Sequence, residues 1–214
     1  TVYAYDQLGR MVSMTDPDAR TTTWSYDAAS RLTQTTHANG STTQNTYDAR
    51  GQLASVTNRD AGAAVLFSEA YTRDLNGRVT RAVRHDGMAM DYTYNEVGWL
   101  VGETVTPAGG GPPETTTYTY DAVGNRTGIT DAAGSRVFAN DANGRLLSDG
   151  IYTYTYDDNG NVTQRSSALE TLDFTYDGFG KLTQVIRTGG VGPTTAEYQY
   201  DPLGTLVGRV VDGV

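Results

Sequence analysis

The sequence predicts an all-β protein, an array of antiparallel hairpins that extends a sheet laterally. Three observations lead there. First, one short phrase recurs from end to end: aromatic, any residue, aromatic, Asp, two residues, Gly, usually a polar residue, usually an apolar one. Its Asp, or a substitute, stands at positions 6, 27, 48, 74, 95, 121, 141, 157, 177 and 201, at intervals of 16 to 26 residues. A repeat of that length marks a repeat architecture rather than a conventional globular domain. Second, 15 Tyr and 25 Gly stand among doubled and tripled Thr, a composition of strands and tight turns. Third, helix formers never gather over a useful length. The longest stretch, Ala61 to Tyr71, contains Gly62 and reads as one irregular insert.

Within a phrase the order of residues dictates the local structure. In Tyr118-Thr119-Tyr120 the alternation sends both rings to one face and Thr119 to the other. Asp121 begins a turn, because its carboxylate can accept a backbone N–H two residues on. Gly124 can take a positive φ without a Cβ clash. Asp-x-x-Gly therefore fits a hairpin with a type I turn and a glycine bulge. Asn125 then opens the return strand. The residue two beyond the Gly is apolar in nine phrases (Met11, Leu32, Leu53, Val79, Leu100, Leu146, Val162, Leu182 and Leu206), with Arg126 the exception. That residue is expected opposite the Tyr pair on the packed face.

In chain order the repeat positions are Tyr3, Tyr5, Asp6 and Gly9; Tyr26 and Asp27; Tyr47, Asp48 and Gly51; Asp74 and Gly77; Tyr92, Tyr94, Asn95 and Gly98; Tyr118, Tyr120, Asp121 and Gly124; Asp141 and Gly144; Tyr154, Tyr156, Asp157 and Gly160; Tyr176, Asp177 and Gly180; Tyr198, Tyr200, Asp201 and Gly204. Three phrases are degraded: Ser30 replaces the Gly, and Arg73 and Asn140 stand where the second aromatic belongs. Ordinary drift in a redundant array explains these. A second set of turns lies between phrases, at Asp16-Pro17-Asp18, Asn39-Gly40, Asp86-Gly87, Asp131 to Gly134 and Asp149-Gly150. Gly109 to Pro113 and Arg187 to Thr194, the latter with Gly192-Pro193, read as exposed loops, since Pro lacks a ladder N–H. Residues 1–214 are expected to form a single array of about ten units. Thr1 is not a natural initiator, so the chain reads as a fragment of a longer one.

Composition excludes several function classes. The net charge is -9 and Lys181 is the only lysine, so no basic run neutralises phosphates and nucleic acid is excluded as a partner. Cys is absent, which removes thiolate chemistry and disulfides. No apolar run approaches the ~20 residues of a membrane-spanning helix.

The repeated Tyr-x-Tyr-Asp-x-x-Gly-Arg/Asn-Leu/Val phrase resembles the tyrosine-aspartate (YD) repeats of Rhs proteins, Tc-toxin shell components, bacterial wall-associated proteins and teneurins. The resemblance covers essentially the whole chain. It implies hairpins joined into a curved, spiralling sheet, part of a larger shell or barrel. It implies a non-catalytic scaffold that encloses a C-terminal toxin domain or belongs to a surface protein, extracellular or on the bacterial cell surface. Its partners would be flanking repeats or a plug of the parent chain, an enclosed toxin domain or surface glycans. Edge-to-edge self-association is the further expectation for an open sheet. The alternative reading is an extracellular carbohydrate-binding or adhesion module, which would need a concave polar site that breaks the repeat symmetry.

No other residues form a site in the sequence. His37 and His85 sit beside inter-phrase turns without a nearby Cys, Glu or second His, and read as exposed turn residues. No Gly-x-Ser-x-Gly occurs. Asp157-Asp158-Asn159-Gly160-Asn161 is the best oxygen cluster for a hard cation, yet the same position elsewhere is an ordinary turn. No cofactor is implied. Asn39, Asn125 and Asn161 begin glycosylation triplets and read as unused. Trp24 occupies a Tyr position and is structural. Trp99 follows Gly98, where Arg or Asn usually stands, and is the candidate exposed contact.

Overall fold

The structure, a computed structural model, describes residues 1–192 and 194–212. Among these residues every regular element is a β-strand. The chain divides into two compact units, Thr1–Thr116 and Thr117–Val214.

In the first unit, strands follow one another antiparallel in chain order, beginning Val2–Tyr5, Met11–Thr15, Thr21–Tyr26, Leu32–Thr36 and continuing to Leu100–Thr106. In the second, Tyr118 and its neighbours pair with Arg126–Asp131, which pairs in turn with Gly134–Val137. A further sheet starts at Ala139–Asn140 and runs in chain order to Leu206–Val211. The strands fall into two sheets, both in chain order, with Phe138 at the boundary between their assignments. The Phe138 N–H donates to Thr127 O at 2.8 Å. The strand that follows has only two residues, because the phrase here carries Ala139-Asn140 where Tyr and Thr normally extend the ladder.

The alternation set by sequence survives in the burial. In Thr21–Tyr26 the residues Thr21, Thr23 and Ser25 are exposed, while Thr22, Trp24 and Tyr26 are half-buried. Thr153–Tyr156 repeats the pattern, as a period of two requires. The packing is thinner than a conventional core. Among the described residues the buried hydrophobic ones are Ala82, Ala89 and Ala196, and no large side chain is fully buried. Strand contacts run chiefly between sequence neighbours.

Two local expectations are overturned. Ala61 to Tyr71 is not an irregular insert: Val65–Arg73 is a nine-residue strand, paired on both sides. Asp60 makes the turn before it, accepting Ala63 N–H at 3.0 Å on its carbonyl and Ala64 N–H at 2.9 Å on Oδ1. Ala63 takes the left-handed conformation, φ 67°, and so closes the turn ahead of the strand. The loop assigned to Arg187–Thr194 is also shorter, since Leu182–Gly189 is a strand whose last residues pair with Glu170, Thr171 and Leu172. Pro193 lies outside the described residues.

Candidate functional site: the interlocked turns

Each phrase turn is built from the Asp outward. Asp6 Oδ1 accepts the N–H of Leu8 at 2.9 Å and of Arg10 at 3.0 Å. Its carbonyl accepts Gly9 N–H at 3.0 Å, and its own N–H donates to Arg10 O at 2.9 Å. The same pair of Oδ1 bonds recurs at Asp27, Asp48, Asp74, Asp121, Asp141, Asp157, Asp177 and Asp201, between 2.8 and 3.0 Å. Asn95 keeps one of them, from Trp99 N–H at 2.8 Å. The residue three beyond has φ between 75° and 96° where it is Gly, and 63° at Ser30. A register shift follows, and it places the same two positions opposite each other in every phrase: Tyr5 with Met11, Tyr26 with Leu32, Arg73 with Val79, Asn140 with Leu146, Tyr200 with Leu206.

The residue after the Gly then ties one turn to the next. Arg10 donates Nε to Asp6 Oδ2 at 2.7 Å, while its guanidinium lies 4.8 Å from the Tyr26 ring and Nη1 donates to Asp27 O at 3.2 Å. Arg31 on Tyr47, Arg78 on Tyr94 and Arg145 on Tyr156 repeat the stack at 4.5, 4.7 and 5.0 Å. Lys181 lies 5.5 Å from the Tyr200 ring. Where Asn stands instead, Asn125 and Asn161 donate Nδ2 to Asp121 and Asp157 at 2.8 and 2.9 Å. The stacked ring reaches back in turn. Tyr26 hydroxyl donates to Met11 O, Tyr47 to Leu32 O, Tyr94 to Val79 O, Tyr156 to Leu146 O, Tyr176 to Val162 O and Tyr200 to Leu182 O, at 2.7 to 3.0 Å. The acceptor is always the bulge residue of the preceding phrase, so at Tyr26, Tyr47, Tyr94, Tyr156 and Tyr200 the hairpin is latched twice to its predecessor.

Two substitutions keep this geometry by other means. Asn140 replaces a Tyr and donates Nδ2 to Arg126 O at 3.2 Å, the carbonyl that a tyrosine hydroxyl would take. Ser30 replaces a Gly, and its Oγ accepts from Arg10 Nη1 at 3.1 Å. Gly51 shows why a side chain is otherwise excluded: a Cβ there would lie 3.1 Å from Arg31 Nη1. The Gly supplies left-handed φ, and at Gly51 and Gly98 it also leaves room for the previous cation.

The carboxylates of Asp6, Asp27, Asp74, Asp121, Asp141, Asp157, Asp177 and Asp201 are held below their ordinary pKa. At Asp6 the hydrogen bond from the Arg10 side chain is the largest cause, followed by Arg10 N–H. At Asp27 the Arg31 N–H leads, opposed by desolvation and helped by the Arg31 side chain. At Asp157 the side chain of Asn161 leads.

The other candidates are committed to structure. His37 and His85 are exposed. His85 Nδ1 accepts Ser68 N–H at 3.2 Å, and its ring meets Phe67 edge-on at 6.3 Å. The Asp157 carboxylate is engaged by Asn159 and Asn161. The Nδ2 groups of Asn125 and Asn161 donate inside their turns. Asn39 Oδ1 accepts from both Ser41 N–H and Ser41 Oγ. Trp99 is half-buried, and the exposed apolar residue of its turn is Val97. No group of three or more His, Cys, Asp or Glu able to hold a metal ion occurs among the described residues.

Both halves of the latch lie beyond a phrase-by-phrase reading. The signal was present, since in three of the latches the Tyr follows its acceptor by the same 15 residues.

Comparison with known proteins agrees with this geometry. The teneurin YD-shell family model matches residues 59–213, and the RHS repeat model matches 5–42 and 26–63. No curated protein matches. Among solved structures, TcdB2-TccC3 without its hypervariable C-terminal region is similar over 99% of this chain, at 19% identity and a TM-score of 0.74. TcdB2-TccC3-TEV gives 99%, 18% and 0.73, and a Photorhabdus luminescens Tc holotoxin pore gives 98%, 18% and 0.62. The chain spans only 12%, 12% and 13% of those chains. At such identities the structures establish a shared fold of antiparallel hairpins. The family match extends over more than half of the chain, and the protein belongs to the teneurin YD-shell family.

Proposed function

We propose that this chain is a non-catalytic wall segment: one array of about ten units, residues 1–214, within a longer protein whose shell encloses a C-terminal toxin domain or stands on a cell surface. The observation that carries the reading is the latch. The Asp and Asn of the phrase are spent on closing its own turn, and its Arg and second Tyr on joining one hairpin to the next. A wall needs that uniform economy, whereas an active site needs a constellation that departs from it. Flanking repeats or a plug would pair with the open strand edges, and the setting would be extracellular. The similarity to toxin-complex structures supports the toxin-enclosing form of the reading.

Two measurements test it. A screen of the purified chain against polysaccharides, esters and peptides is expected to show no turnover. Turnover abolished by replacing one Asp or Glu would overturn the non-catalytic reading. Sedimentation over a wide concentration range is expected to show self-association through the edges. A compact monomer at every concentration, with cooperative melting, would mean that the edges close without a partner.

A further inference from the structure

Four Asn-Gly pairs stand in the chain: Asn39-Gly40, Asn76-Gly77, Asn143-Gly144 and Asn159-Gly160. All four asparagines are exposed in turns, and all four glycines take a left-handed φ, between 78° and 86°. In each pair the Gly N–H donates to the carbonyl three residues back, at 2.9 to 3.1 Å. By backbone and exposure the four are alike, but their hydrogen bonding differs.

Asn76, Asn143 and Asn159 lie in phrase turns, two residues beyond the Asp. Their own N–H groups donate to Oδ1 of Asp74, Asp141 and Asp157 at 2.9, 2.9 and 3.0 Å. The N–H two residues further on, at Arg78, Arg145 and Asn161, goes to the same carboxylate. Asn39 lies in an inter-phrase turn that has His37 in the place of the Asp. With no carboxylate there to take it, Ser41 N–H donates to Asn39 Oδ1 at 3.0 Å, and Ser41 Oγ donates to the same oxygen at 2.7 Å. In the adjoining turn, whose Ala61 Cβ would lie 3.0 Å from a Cβ at Gly40, the Asp60 carboxylate is engaged by Ala64 N–H.

We propose that Asn39 is a site of covalent self-modification, where the chain converts its own Asn-Gly peptide through a cyclic imide into aspartate and isoaspartate. The Gly40 nitrogen gives its proton to solvent base and attacks Asn39 Cγ. The N–Cγ bond forms, the Cγ–Nδ2 bond breaks, and the leaving nitrogen takes a proton from water to depart as ammonia. Water then opens the imide at either carbonyl, which yields aspartate or, where the original Asn39–Gly40 peptide bond breaks, isoaspartate. Negative charge gathers on the attacking nitrogen and then on Oδ1. The two Ser41 donors stabilise that charge, whereas a carboxylate within the same turn repels it. Ring closure requires Gly40 N–H to leave His37 O, but the other three glycines share that requirement, so it does not alter the ranking. The converted turn gains a negative charge. Its isoaspartyl form lengthens the main chain by one atom inside the bonds that close the hairpin, His37 N–H to Ser41 O and Gly40 N–H to His37 O, both 2.9 Å.

The test is peptide mapping by mass spectrometry after the intact, folded chain has been held at mildly alkaline pH. Conversion at all four pairs is read from the mass gained as an amide becomes an acid. Asn39 is expected to convert at least about five-fold faster than any of the other three, a small part of what oxyanion donors supply in a buried site. Ser41→Ala should slow Asn39 several-fold and leave the other three unchanged, while Ser41→Thr, which keeps both donors, retains the rate. In denaturant the four rates should draw together, because the ranking comes from the folded turns. Three results would overturn the proposal: a phrase-turn Asn converting as fast as Asn39 in the folded chain, an Asn39 rate unchanged or raised in Ser41→Ala, or the same preference for Asn39 in the denatured chain.

Discussion

Asp6–Arg10 and Asp16–Arg20 are two copies of one turn put to different use. Each has Oδ1 accepting the N–H groups two and four residues on, and each has Arg Nε on Asp Oδ2 at 2.7 Å. Each has a left-handed residue before the Arg, Gly9 at φ 75° and Ala19 at φ 60°. Yet the Arg10 side chain is 24% exposed and Arg20 66%. Arg10 lies beneath Tyr26, whereas Arg20 is engaged by Asp16 and Asp18 of its own turn. The turn is therefore a local object that the sequence can write anywhere. The latch exists only where the next hairpin delivers a tyrosine.

The sharpest way to break that contrast is to remove the ring. Tyr26→Ala should destabilise the chain by about 2 kcal/mol, below the 3–5 typical of a fully buried aromatic because this ring is half-buried. Chemical denaturation measures it, and a loss no greater than that of Thr23→Ala would show that the ring does not join the hairpins. Next comes the left-handed position. Gly160 has open space around a Cβ and φ 86°, so Gly160→Val meets backbone strain alone, of order 1–3 kcal/mol. Asn159→Ala is expected to stay within about 0.5 kcal/mol, and equal melting midpoints for the two variants would refute the strain argument. On the opposite margin Ala19→Gly should raise the midpoint by relieving the strain that Gly9 avoids.

Finer changes dissect the latch itself. Tyr26→Phe removes only the hydroxyl that reaches Met11 O, and should cost about 1 kcal/mol. Arg10→Ala should lower the melting midpoint measurably through the lost stack, worth roughly 0.5–1 kcal/mol, while Arg20→Ala leaves it unchanged. Identical midpoints for the two arginine variants would erase the distinction between the margins.

The smallest expected contrast is in acid. The carboxylates of Asp6 and Asp16 are both held below their ordinary value, the first chiefly by the Arg10 side chain, the second chiefly by Arg20 N–H. A depressed folded pKa contributes stability that is fully present above the unfolded value of about 3.9 and is lost as pH falls through the lower, folded one. Thermal midpoints should be level from neutral pH to about 5 and drop below about 4. Asp6→Asn and Asp16→Asn should blunt that drop alike, because both turns hold their carboxylate with bonds made inside the turn. A clearly larger effect at Asp6 would mean that the latch, rather than the turn, sets the carboxylate's environment.

The sequence by itself determined the hairpin, its turn and its register. These rest on interactions within about ten residues of chain: the Asx bonds of Asp6 to Leu8 and Arg10, the left-handed φ at Gly9, and a side-chain period of two. Such short-range preferences read directly from residue order, and they held even at Ser30. Only the tertiary structure decided what the cation after each Gly touches, that Asn140 takes over a tyrosine's hydrogen bond, and that Val65–Arg73 pairs as a strand on both sides. Each of those depends on which side chain a neighbouring hairpin delivers, and the lengths between phrases vary enough to hide that from the order of residues alone. The irregular insert expected at Ala61 to Tyr71 is largely strand for the same reason: Val65–Arg73 is paired on both sides.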